Sequence, residues 1–135
     1  MPAQSSFDYA VVRVVPRVER EEFVNAGVIL FCLERDYLAA RVELDGERVR
    51  ALWPEVDLAL VEEHLAAIPR ICAGGEEGGP VGRLSARERF HWLVAPRSTM
   101  IQISPVHVGL CEDPERALEH LMDRMVRRST AGSAP

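Results

Sequence analysis

Five polar residues stand where the surrounding pattern does not ask for them: Arg13, Glu22, Asn25, Arg97 and Gln102. Arg13 interrupts an apolar run, and an arginine there has to reach an acid, a carbonyl or solvent, because burying an unpaired charge is costly. Two readings of the set are open. In one, Arg13 and Arg97 grip an anionic group and Asn25 orients it. In the other, Arg13 pairs with Glu43 or Glu22 to finish a sheet face, Asn25 makes a turn and Arg97 is exposed. The second is preferred, since ion pairs of this kind are commonly structural.

Other reactive residue types are scattered. A metal site would need two or three of His64, His91, His107 and His120 to converge with a carboxylate or thiolate, and their spacing gives no such chelate. No metal and no cofactor is expected. Cys111 precedes a helix start, a position that can lower a thiol pKa, with His107 as the nearest candidate base. Glu112 and Asp113 act against a thiolate there, so a plain buried cysteine is the favoured reading. Arg83, Arg87, Arg89 and Arg97 beside Trp92 could form a basic patch with a stacking ring for single-stranded nucleic acid. A net charge of −5 makes nucleic acid the least favoured partner. All 16 basic residues are arginine, which excludes lysine chemistry of every kind. Cys32, Cys72 and Cys111 are isolated and odd in number, which suits a reducing compartment. With no basic-then-apolar leader at the start and no apolar run of about 18 residues, a cytoplasmic location is expected.

These residues need elements to position them. Residues 9–15 and 24–33 read as β-branched strands, and the charged link between them is too short for a parallel crossover, so they should pair antiparallel. Neither alternates cleanly: Val11 and Val15 oppose Ala10, Val12 and Val14, while Val24, Val28, Leu30 and Cys32 oppose Ile29, Phe31 and Leu33. Strands apolar on both sides are covered on both sides, by helices or by a second subunit, and a homodimer through the second face is expected. Gly27 inside a strand marks a bulge or a close backbone approach. Residues 37–44 alternate as a third strand ending at Asp45-Gly46.

A short helix over 47–53 follows, then a long one over 55–68 with Leu58, Val61, Leu65 and Ile68 on one stripe; Pro69 ends or kinks it. The glycine-rich stretch 73–82 reads as a flexible loop. Ser85 and Glu88 form a capping box that opens a helix to Ala95. Residues 100–103 are a short strand, 104–110 either a loop or a fifth strand. Asp113 and Pro114 start the last helix, with Leu118, Leu121, Met122 and Met125 as its buried stripe. The predicted fold is therefore a single α+β domain: an antiparallel sheet of three to five strands with about three main helices, folded over 7–128, with 1–6 and 129–135 flexible.

The order Tyr9-x3-Arg13-x2-Pro16, then Glu22-x2-Asn25-x-Gly27-Val28-x-Leu30, resembles the bacterial domain-of-unknown-function family numbered 3037. Arg97, Pro105 and Gly109 are similar to that family's pattern near its last strand and helix. The resemblance spans about 7–127 and implies no activity, because the family is uncharacterised. It implies small standalone bacterial proteins, sometimes encoded beside HipA-like kinases, and so hints at a protein partner. Together the residues point to an interaction or regulatory module, with a small enzyme or anion- or nucleotide-binding protein using the arginine and asparagine residues as the alternative.

Overall fold

The computed structural model describes residues 3–97 and 99–128 of the 135. Five strands form one antiparallel sheet: β1 (Ser5–Val14), β2 (Val24–Cys32), β3 (Tyr37–Val42), β4 (Ile101–Ile103) and β5 (His107–Cys111). The order is β3-β2-β1-β4, and β5 continues beyond β4 along the same side of β1. The four α-helices are α1 (Gly46–Leu52), α2 (Leu58–Ala73), α3 (Ala86–Val94) and α4 (Pro114–Met125). The chain is α+β, as its patterning predicts.

β1 is the central strand because it is the longest and its interior positions are apolar on both sides. Its free edge is shared by two short strands that meet at Ser104 and Pro105. Here the Ser104 hydroxyl accepts from the Val11 N–H at 2.8 Å, and the Ser104 N–H donates to the Val11 carbonyl at 2.9 Å. The side chain thus satisfies a buried backbone donor at the break between the strands. β1 starts at Ser5, which is buried and paired with Cys111, so residues 5 and 6 are part of the sheet rather than a flexible leader. Residues 129–135 lie outside the described residues.

The β1–β2 register changes between Val12 and Arg13: Val12 faces Gly27 and Arg13 faces Asn25, so Ala26 is the extra residue of a bulge. The bulge reverses the side-chain alternation. Val24 therefore joins Ile29 and Phe31, and not Val28, Leu30 and Cys32 as simple alternation has it. Gly27 serves the close approach of β3: a Cβ there would lie 2.5 Å from the Arg41 carbonyl oxygen.

Helices cover both faces. α2 and α3 lie on one, where Val61, Leu65, Ile68, Phe90 and Leu93 pack with Val12, Val14 and Ile29. α4 lies on the other and buries Leu118, Leu121 and Met122 against Phe7, Val28 and Leu30. The doubly apolar strands are thus explained within one chain, and the second face is not available for the face-to-face dimer expected from the sequence. α2 runs through Pro69 to Ala73 because Ile71 and Cys72 extend its buried stripe. The glycine-rich stretch folds into 3-10 turns over Glu76–Arg83, held to the end of α2 by the Gly75 N–H on the Gly82 carbonyl. Asp45 is not a turn residue but the N-cap of α1.

Candidate functional site

Asn25, Arg13 and Gln102 stand in one row across β2, β1 and β4. Arg13 is half-buried and projects on the side opposite Val12 and Val14. Its guanidinium carbon sits 4.3 Å from the centroid of the Phe23 ring, a cation–π contact, and its Nε is buried with no hydrogen-bond partner among the described residues. It pairs with neither of its expected acids: Glu43 is taken by Arg127 and Glu22 by Arg20.

Arg97 comes to the same place from the α3–β4 connection. Pro96 ends α3, and the Arg97 side chain folds back to lie 4.3 Å over the Trp92 ring while donating to the Trp92 carbonyl at 2.7 Å. Arg13 and Arg97 then line one cleft of about 340 Å³, with Gln102, Val15, Phe23 and Glu21 as further walls. The Gln102 amide is held by the Thr99 carbonyl at 3.0 Å. Glu21 reaches the rim because it takes a left-handed conformation, φ 57°, at the end of the 3-10 turn Val18–Arg20. Neither Arg13, Arg97 nor Glu21 makes an ion pair among the described residues. The cleft therefore carries two cations against one anion.

The predicted set divides on this geometry. Arg13, Arg97 and Gln102 come together. Asn25 lies beside them but donates to the Met125 carbonyl at 2.9 Å, closing the C-terminal end of α4, and is neither a turn nor a wall of the cleft. Glu22 points to Arg20 at 2.5 Å, and that hydrogen bond holds its carboxyl below the usual range. The ring under Arg13 was not anticipated; its signal is an aromatic residue, Phe23, at the end of a charged link.

Residues 9–126 match the family described as a protein of unknown function, DUF3037. The chain belongs to this family. Arg13, Asn25, Arg97 and Gln102 all fall inside the matched stretch. No curated protein and no solved structure matches the chain.

Elsewhere in this DUF3037 member, the other candidates do not assemble. Cys111 and His107 are the two ends of the five-residue strand β5: Cys111 packs into the α4 core, where burial pushes its thiol up, and the His107 ring lies against Tyr9. Among the described residues no group of three or more His, Cys, Asp and Glu side chains could hold a metal. Arg89 turns inward to the Leu84 and Cys72 carbonyls and is withdrawn from the basic patch that the less favoured reading places near Trp92. No helix among the described residues is long and apolar enough to cross a membrane. The walls of the Arg13–Arg97 cleft bring together two guanidiniums, the Gln102 amide, the Glu21 carboxylate and the apolar side chains of Val15, Val18 and Phe23.

Proposed function

We propose that the chain is a small binding module that captures an anionic group, a phosphate or a carboxylate, between Arg13 and Arg97. The supporting observation is that two half-buried guanidiniums line one cleft with no ion-pair partner among the described residues. Each sits over a ring, which restrains it; Arg97 spends one N–H on the Trp92 carbonyl, and the remaining N–H groups of the pair can meet the acceptors of one oxyanion. Gln102 adds a neutral amide beside them. Glu21 at the rim disfavours a ligand of spread negative charge and favours one compact group. Recognition of such a group on another bacterial protein is the form of this reading that fits an interaction module; a free small anion is the other source of the same chemistry.

The test has two arms. Isothermal titration with inorganic phosphate and with acetate at low ionic strength measures the free anion. A tagged capture from cell extract, washed with and without phosphate, measures a protein-borne group. Charge-assisted hydrogen bonds contribute about 1.5–3 kcal/mol each, so Arg13→Gln or Arg97→Gln should weaken binding about tenfold or more. Arg83→Gln is the control. Heat on phosphate titration that vanishes in both variants marks a small-anion site. A stoichiometric partner lost in both variants and displaced by phosphate marks a protein ligand. If neither arm responds to the two substitutions, the cleft is not a binding site.

A further inference from the structure

We propose that two copies of the chain join edge to edge through β5, in antiparallel register centred on Val108, to make one continuous sheet. β5 is paired with β1 on one side only, and among the described residues no strand pairs with its other edge. Its exposed side chains are apolar: Val108 is 69% exposed and Leu110 66%, with Val106 at 43% just before the strand. They lie on the α2–α3 side of the sheet, beside exposed Ser6 and half-exposed Asp8 of β1.

The outward backbone groups follow from the ladder. Val11 bonds to Ser104 on the β4–β5 side, so Tyr9, Phe7 and Ser5, two apart in turn along β1, point their N–H and C=O groups the same way. Their partners His107, Gly109 and Cys111 use up the inner edge of β5. The N–H and C=O groups of Val108 and Leu110 face the open edge.

A second copy is the occupant this edge fits. The stretch Val106-His107-Val108-Gly109-Leu110-Cys111 carries no acid and no arginine, so a copy of itself brings no like charge against it. Free edges are usually guarded by charged side chains, bulges or prolines, and this one has a proline only before it, at Pro105. The apolar row is self-complementary about one residue. With Val108 opposite Val108 of the second copy, Val106 falls opposite Leu110 of the second copy, and Leu110 opposite Val106. All three exposed side chains then make apolar cross-strand pairs on one face. Glu112 falls opposite Ser104 of the second copy, which keeps the two acidic ends apart. Val108 would be a hydrogen-bonded pair, its Cα atoms about 5.5 Å from those of its mate.

That distance lies within the range a disulfide spans, whereas two Leu110 residues in this register would stand about 14 Å apart. The measurement is light scattering after size exclusion over a concentration series, together with mild oxidation of single cysteine variants. The wild type should show twice the mass of the 135-residue chain, and Val108→Lys the single mass, with unchanged circular dichroism because Val108 is exposed. Val108→Cys should cross-link between copies and Leu110→Cys should not. A monomer up to about 100 µM, a dimer that survives Val108→Lys, or cross-linking at Leu110→Cys in place of Val108→Cys would each overturn the register or the edge. Phosphate affinity at the arginine cleft is read separately, so failure here leaves that proposal standing.

Discussion

Asn25 and Glu22 are three residues apart and equally polar, yet the fold uses them differently. Asn25 ties β2 to the last carbonyl of α4, and its own Oδ1 is buried without a partner. Removing it leaves the Met125 carbonyl unsatisfied near the core, so Asn25→Ala should cost about 1–3 kcal/mol in urea unfolding. Glu22→Ala removes an exposed pair and should leave the midpoint within error. Cys72 gives a second test at this scale, with a defined pH window. Burial pushes its thiol up to about 12, from an ordinary value of 9.0. Below pH 9 both states hold the proton. Above it the unfolded chain ionises first, so folding stability falls as pH rises from 9 towards 12, by up to about 1.4 kcal/mol per pH unit. Cys72→Ala, compared with wild type by denaturation across that window, should show a shallower decline. What the sequence made readable here was that Arg13 needed a partner. That the partner is a ring and not an acid depends on where the 3-10 turn Val18–Arg20 delivers Phe23, and no local pattern states that.

The elements were legible wherever their signals are local. The capping box at Ser85 and Glu88 and the Asp113-Pro114 start of α4 each lie within one turn, the stripe of α2 within a single helix, and each is present in the fold. Gly27 signalled a bulge or a close approach, and the bulge is at the neighbouring Ala26; what was not legible is its effect on side-chain alternation, a property of the pairing of two strands, which moves Val24 to the other core. β5 stayed ambiguous for a similar reason. Its inner row is His107 and Gly109, and glycine reads as a loop residue until the Phe7 ring is seen to occupy the space a Cβ would need, at 2.5 Å. Gly27 belongs to the same class, with a firmer prediction. Gly27→Ala would press a methyl against the β3 backbone at the Arg41 carbonyl, which cannot rotate away, and should cost about 1–3 kcal/mol. Gly46→Ala meets only the mobile end of Leu58 at 3.0 Å, in the first turn of α1, and should be neutral or slightly stabilising. Equal losses from the two substitutions in thermal unfolding would show that strand approach is not what Gly27 serves.

At the scale of the whole molecule, α4 decides whether the sheet has one core or two, and two kinds of interaction hold it. Leu118, Leu121 and Met122 are buried, while Arg41 bonds Glu119, Arg127 bridges Glu43, Glu119 and Asp123, and Arg128 reaches Asp45 and Glu47. The hydrogen bonds from Arg127 and Arg128 hold the Glu43 and Asp45 carboxyls below their ordinary values. A depressed carboxylate stabilises the fold above its unfolded pKa, and that contribution is lost as pH falls through the folded value. The pairs are largely exposed, so their share is small and screened by salt. Burial must carry most of the attachment. Leu118→Ala should therefore cost about 2–5 kcal/mol, at all pH values and in high salt alike. Arg127→Met should produce a smaller loss at pH 7 and low salt, one that shrinks both below the carboxylate range and in about 1 M salt, where the Debye length falls to about 3 Å. Because release of α4 would expose Val28, Leu30 and Cys32 of the central strands, Leu118→Ala should lower the urea midpoint with an unchanged slope. Two separate transitions in that variant would mean instead that α4 opens on its own, leaving a sheet stable with one face bare.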